Sequence, residues 1–70
     1  MAITFKPDYN GFCFMLDGVA VSISDIIAKG IKPTEEEQAV ILGQIKEAYP
    51  VGNEYLDWST NYLNRLIRGE

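Results

Sequence analysis

The 70-residue sequence contains no histidine and a single cysteine, Cys13. One chain therefore lacks the side chains for a zinc site of the usual ligand types, and it cannot form an internal disulfide. Histidine is also the commonest general acid or base, and neither a glycine-rich phosphate loop nor a nucleophile elbow is present. We expect a non-enzymatic protein without metal or cofactor, in which Cys13 is a structural free thiol.

Basic residues are scarce as well, because six Lys and Arg face ten Asp and Glu, for a net charge of −4. Direct binding to a nucleic-acid backbone requires a basic surface and is not expected. No apolar run has the length needed to span a bilayer, and the start of the chain lacks a signal-peptide pattern. We expect a cytoplasmic protein that does not bind membranes. Small size, acidity and missing catalytic groups are typical of phage and mobile-element proteins, and a phage-encoded chain would act in the host cytoplasm.

The length predicts one domain, residues 1–70, and nearly half of the residues are apolar. A chain of this size buries a small core and has only marginal stability without a disulfide, a metal or a partner. Since the first two are missing, self-association is the remaining means of stabilisation. We therefore expect a homo-oligomer, a protein partner, or both.

Three short strands are predicted at the beginning of the chain, from alternation of apolar and polar residues and from two turn signals. Residues Ile3 to Lys6 form the first strand, Phe12 to Leu16 the second and Val19 to Ile23 the third. Residues Pro7 to Gly11 form the first turn, and Asp17-Gly18 is a two-residue hairpin turn.

A four-residue first turn predicts that Phe5 lies opposite Phe12 and that Ile3 lies opposite Phe14. Continuation of the third strand predicts that Phe12 also lies opposite Ile23. The large side chains then share one face, and a slip by one residue would expose all of them. We expect a three-stranded antiparallel meander with one apolar face.

Two shorter signals precede the last helix. Ser22 or Ser24 can cap a short helical turn that ends at Gly30. Thr34 and Glu37 have the spacing of a capping box, which predicts a helix that ends near Tyr49. The apolar positions expected to face the core from this second helix are Ile41, Leu42, Ile45, Ala48 and Tyr49.

The last helix is predicted over Asn53 to Gly69, with Asn53 as the N-cap and Gly69 as the left-handed C-terminal residue. Its expected core stripe consists of Leu56, Thr60, Leu63 and Ile67. The predicted fold class is α+β, a three-stranded antiparallel meander packed by a short helical turn and two C-terminal α-helices.

A second row of mostly aromatic residues lies beside that stripe and widens the apolar arc of the last helix. We call it the aromatic flank, and it consists of Tyr55, Trp58, Tyr62 and Leu66. It either packs inside the monomer or contacts a partner or second copy, and Tyr, Trp and Arg are common at interface hot spots. We predict a non-enzymatic protein-binding module, an inhibitor or adaptor. Its partner-binding residues are predicted to be Tyr55, Trp58, Tyr62, Arg65 and Leu66, with Val40 as a weaker member.

Two alternative functions remain, and the first of them shares residues with the predicted partner-binding face. The first is an oligomer that sequesters a nucleotide or another small anion with Trp58, Arg65 and Arg68, by stacking and by charge. The second is acidic mimicry of nucleic acid, which would use the carboxylates of Glu35, Glu36, Glu37 and Glu47. Mimicry predicts salt-sensitive capture of a basic protein, whereas an aromatic interface predicts weak salt dependence.

Overall fold

A computed structural model describes residues 2–8 and 11–70 of the chain. The described part has an α+β fold in which a three-stranded antiparallel sheet is followed by helices, as the sequence predicts. Its elements are β1 (Ile3–Asp8), β2 (Gly11–Leu16), β3 (Val19–Ala20), α1 (Ile23–Ala28), α2 (Glu35–Ala48) and α3 (Glu54–Arg68).

The predicted register of β1 and β2 is wrong by two residues. Phe5 pairs with Phe14 and Ile3 pairs with Leu16, because β1 extends to Asp8 and pairs there with Gly11. The predicted turn is therefore too long, and two of its residues, Tyr9 and Asn10, lie outside the described residues. A slip of two residues preserves the side-chain alternation, so Ile3, Phe5 and Phe14 are still buried.

The third strand is shorter than predicted. β3 pairs with β2 only at Val19 and Ala20, and Ile23 is the first residue of α1 rather than a partner of Phe12. The Ser22 hydroxyl accepts a hydrogen bond from the backbone N–H of Asp25 at 3.2 Å, which identifies Ser22 as the N-cap. This bond satisfies a backbone donor in the first helical turn and begins the helix where a longer strand was expected.

The predicted capping box is present at the start of α2. The Thr34 hydroxyl accepts from the N–H of Glu37 at 3.1 Å, and the Glu37 carboxylate accepts from the N–H of Thr34 at 2.8 Å. The second oxygen of the same carboxylate accepts from the N–H of Ile3 at 2.7 Å. Glu37 therefore joins the start of α2 to the outer edge of β1.

We predict that Glu37→Gln lowers the free energy of unfolding by about 1 kcal/mol at pH 7, because a neutral amide oxygen accepts more weakly than a carboxylate. Hydrogen bonds from the backbone of Thr34 and then of Ile3 hold the pKa of the Glu37 carboxyl below its ordinary value. A lowered folded-state pKa means that the carboxylate's contribution is complete above the unfolded-state pKa, about 4.3. It is lost as the pH falls through the folded-state value.

Urea unfolding of wild type and Glu37→Gln, followed by circular dichroism from pH 7 down to pH 3, measures this difference. We expect the two stabilities to converge at the acidic end. Glu36→Gln is the matched control, since Glu36 is in the same first turn and is exposed. A stability difference that is equally large at pH 3 would contradict a role for the ionised carboxylate.

The helices cover one face of the sheet and close a single core. Its buried apolar residues are Ile3, Phe5, Phe14, Leu16, Ile23, Ile26, Ile41, Ile45, Tyr49, Leu63 and Leu66. From α2, the predicted Ile41, Ile45 and Tyr49 are buried, whereas Leu42 and Ala48 are half-buried.

α3 begins and ends as predicted, with Asn53 as the N-cap and Gly69 in the left-handed conformation at φ 77°. Its buried face differs from the predicted core stripe. Ser59, Leu63 and Leu66 are buried, whereas the predicted members Leu56, Thr60 and Ile67 are half-buried. The helix is therefore rotated so that the edge of its aromatic flank faces the core.

Candidate functional site

Four side chains of α3 form one continuous row along the helix, and we call it the aromatic stripe: Tyr55, Trp58, Tyr62 and Arg65. Their spacing of three or four residues places them on the same side of a helix. The Tyr55 and Trp58 rings meet edge to face at 5.4 Å between centroids. The Arg65 guanidinium lies over the Tyr62 ring, 5.9 Å from its centroid.

The stripe is partly packed and partly open to solvent. Trp58 is 49% exposed and Tyr62 is 40% exposed, whereas Tyr55 and Arg65 are half-buried. Packing inside the monomer therefore applies to part of the row, and another part is accessible to solvent. One edge touches the core, and the other presents Trp58 and Tyr62 outward.

The inner edge of the stripe belongs to a network of aromatic rings. Phe12 of β2 contacts Tyr62 at 5.4 Å and Tyr55 at 6.2 Å, both edge to face. Tyr49 contacts Tyr55 at 5.5 Å and donates from its hydroxyl to the backbone carbonyl of Gly11 at 2.6 Å. Edge-to-face contacts of this kind fix ring orientations. The exposed rings are consequently supported from below by the sheet and by the end of α2.

Two predicted members do not belong to this row. Leu66 is fully buried in the core, so its predicted place on an accessible contact face is wrong. Leu66 comes two helical turns after the buried Ser59 and therefore lies on the same side of α3, which explains the burial of Leu66. Val40 is 58% exposed, but it lies on α2 between the exposed residues Glu36 and Glu47. No described contact joins Val40 to the aromatic stripe.

The two arginines proposed for anion binding have different surroundings. Arg65 donates from Nε to the backbone carbonyl of Glu70 at 3.0 Å and covers Tyr62. Arg68 is more exposed and lies 3.6 Å from the Glu70 carboxylate. Arg65 lies roughly 60° around the helix axis from Tyr62, whereas Arg68 lies roughly 120° from it, so only Arg65 continues the row of aromatic rings.

The four glutamates predicted for acidic mimicry also differ in role. Glu37 is engaged by the backbones of Thr34 and Ile3, so its carboxylate has a structural function. Glu35, Glu36 and Glu47 are exposed on α2. Acidic side chains in the first helical turn stabilise the helix dipole, which accounts for the Glu35 and Glu36 positions without a partner.

An open notch lies beside the stripe, with a volume of about 420 Å³. Its walls are residues 12–14 of β2 and residues 20–24, which lead from β3 into α1, and its remaining lining comes from Tyr62 and Arg65. We call it the edge notch. The sequence analysis did not anticipate it, because Val19 to Ile23 were expected to form a complete third strand. The Ser22 cap was the available signal, since a residue that caps a helix ends the strand before it.

Within residues 2–8 and 11–70, no group of three His, Cys, Asp or Glu residues could hold a metal ion. None of the helices in the described chain has the length and apolarity needed to cross a membrane. Cys13 is a half-buried free thiol in the wall of the edge notch.

A scan against protein-family models gives no match, and searches of curated proteins and of solved structures find no significantly similar protein. Function is therefore inferred from the geometry of the chain itself.

Proposed function

We propose that this chain is a small non-enzymatic protein-binding module, an inhibitor or adaptor, that contacts its partner through the aromatic stripe. The observation that carries the proposal is the exposure of Trp58 and Tyr62, side by side, on a helix whose opposite edge is anchored in the core. Large aromatic side chains and arginine are enriched at interface hot spots, because they bury much apolar area and retain a polar group.

The support beneath the stripe favours binding energetically. Ordering flexible side chains at an interface costs conformational entropy and so weakens binding. Here the Tyr62 ring already packs on Phe12, and the Trp58 ring already packs on Tyr55. Little additional ordering is needed when a partner covers them, so more of the buried area contributes to affinity.

A second copy of the chain is one candidate for this partner, since a 70-residue domain gains stability from association. Light scattering across a dilution series measures the mass of the wild type and of Trp58→Asp. A wild-type dimer that the variant converts to a folded monomer identifies the stripe as a self-association surface. A wild-type monomer directs the search to a foreign protein.

The proposal is tested by capture from an extract of the cells that encode the chain, with three immobilised proteins compared by quantitative mass spectrometry. We expect a protein that is retained by the wild type and by Asn64→Asp but lost with Trp58→Asp. Asn64→Asp is the matched control, because it adds the same charge to an exposed position that lies roughly 120° around α3 from Trp58. Each variant is first checked for native circular dichroism.

Identical capture by wild type and Trp58→Asp, combined with a monomeric wild type, would refute the proposal. Washing at increasing salt separates it from acidic mimicry. Capture through aromatic contacts should persist in high salt, whereas capture by Glu35, Glu36 and Glu47 should weaken steeply. The anion-binding alternative predicts a thermal shift with nucleotides, which depends on Arg65 and Arg68. Both arginines already contact Glu70, Arg65 through its backbone carbonyl and Arg68 through its carboxylate.

A further inference from the structure

The direction of the hydrogen bonds between β2 and β3 defines an open edge on the sheet. The N–H of Val21 donates to the carbonyl of Phe14 at 3.1 Å, just beyond the last paired residue of β3. In an antiparallel ladder, the backbone groups of alternate residues point to the same side. The N–H and C=O of Phe12 therefore point toward the position that a longer β3 would occupy.

No strand fills that position in the described chain. A continued β3 would place Ile23 opposite Phe12, but the Ser22 cap has already started α1 and Ile23 is helical. The edge notch is the space left when the chain departs from the sheet. It exposes one hydrogen-bonding position of β2, with a groove on the side where an added strand would lie.

The opposite edge of the sheet is protected against the same kind of pairing at two of the outward-facing residues of β1. The Ile3 N–H is occupied by the Glu37 carboxylate at 2.7 Å. Pro7 lies in β1 and has no N–H to donate. Proteins commonly block sheet edges in this way, because exposed backbone groups recruit other strands. The unguarded position at Phe12 therefore contrasts with the guarded positions of β1.

The side chains above the notch define the chemistry of its occupant. Tyr62 and Arg65 contribute to the lining from α3. Arg65 uses Nε for the backbone carbonyl of Glu70, and no other hydrogen-bond partner of its guanidinium is present among the described residues. Its terminal nitrogens can donate to a carboxylate, which is the planar acceptor that a guanidinium fits best.

We propose that the edge notch binds an extended peptide segment of a partner protein, which adds as a short strand beside Phe12 and places an acidic side chain against Arg65. Strand addition obtains affinity from main-chain hydrogen bonds and specificity from the pockets beside them. The inference rests on the proposed protein-binding function and names the form of the partner. The notch adjoins the aromatic stripe through Tyr62, so one partner can occupy both.

The probe is a displayed library of random peptides of roughly twelve residues, selected on the wild-type protein. We expect selected peptides to share an Asp or Glu. A synthetic peptide should bind Arg65→Glu at least about tenfold more weakly than the wild type, because the charge pair becomes repulsive. Arg68→Glu is the matched control, with an expected loss below about twofold, because exposed charges away from a site contribute little. Replacing the peptide's acidic residue by Lys should restore binding to Arg65→Glu.

The position of the peptide is measured with ¹⁵N-labelled protein. We expect the largest amide shifts at Phe12 and Cys13 and at residues 21–24, together with slower hydrogen exchange of the Phe12 amide. Trp58→Ala should retain the peptide, because Trp58 does not line the notch. This arm separates the inference from the proposed function, whose test depends on Trp58.

Four results would overturn the inference. The first two are that no peptide is selected, or that the selected peptides share no acidic residue. The third is that Arg65→Glu and Arg68→Glu weaken peptide binding equally. The fourth is that the peptide shifts the amide signal of Trp58 but does not slow hydrogen exchange of the Phe12 amide. The last result would leave the proposed function intact, since the aromatic stripe would then bind the peptide by itself. Identical capture by wild type and Trp58→Asp and a monomeric wild type, with peptide binding at Phe12 retained, would refute the proposed function alone.

Discussion

Leu66→Ala is expected to lower the free energy of unfolding by about 2–5 kcal/mol. Leu66 is fully buried in the core, so truncation removes its packing contacts and leaves a cavity that the surrounding side chains fill only partly. Small domains have total stabilities of roughly 5–15 kcal/mol, and this loss brings the variant close to unfolding at room temperature. Urea titration followed by far-ultraviolet circular dichroism measures the change.

The matched control is Trp58→Ala on the same helix. Trp58 is 49% exposed and loses mainly its contact with Tyr55, so we expect a cost of only about 1 kcal/mol. The two variants therefore separate the core edge of α3 from its outward edge. Similar losses in both would contradict the assignment of Leu66 to the core and Trp58 to the contact surface.

Ser59→Leu has the second largest expected effect, a loss of about 1–3 kcal/mol. Ser59 is fully buried on α3, where a small side chain fits between the helix and the core. A leucine would add two heavy atoms to this fully buried position and push α3 outward or force strained rotamers. Thermal unfolding should show a lower melting temperature, and the Phe12–Tyr62 contact should loosen.

Ser59→Ala distinguishes size from hydrogen bonding. The Ser59 hydroxyl donates to the backbone carbonyl of Tyr55 at 2.5 Å and approaches that of Leu56 at 3.3 Å. The carbonyls of Tyr55 and Leu56 also accept from the helix backbone, so removal of the hydroxyl leaves no unpaired buried acceptor. We expect a change within about 0.5 kcal/mol, because alanine also has the higher helix propensity. A large loss would show that the hydroxyl itself stabilises the core.

Local signals in the sequence predicted the ends of the two longer helices well. The Thr34–Glu37 capping box, the Asn53 cap and the left-handed Gly69 all occupy their expected places. Each depends on atoms within a few residues of one another, which makes such signals independent of tertiary packing. The α+β fold class followed from the same signals together with the alternation in the first strands.

The strand pairing depended on information that alternation does not contain. A two-residue slip between β1 and β2 keeps Phe5 and Phe14 on the buried face, so the apolar pattern is satisfied by either register. The length of β3 was overestimated for a related reason. Val21 and Ile23 are apolar and β-branched, but the Ser22 cap between them starts α1.

The candidate site was predicted in part. The helical period of 3.6 residues predicted Trp58, Tyr62 and Arg65 in one row of α3, and the structure has them in that row. It could not distinguish Leu66 from them, because Leu66 lies only about 40° around the helix from Tyr62. The rotation of α3 is decided by packing against α2 and the sheet, and no short segment encodes it. The edge notch, which is assembled from β2, α3 and the start of α1, was likewise beyond local prediction.

Trp58 is the single tryptophan of the chain, and its indole is half in water and half against Tyr55. This intermediate position makes it a two-way optical reporter. A partner that covers the stripe removes water from the indole and moves its emission to shorter wavelength, whereas unfolding of the chain exposes it fully and moves the emission to longer wavelength. Occupancy and loss of structure thus change one fluorescence signal in opposite directions, without an added label.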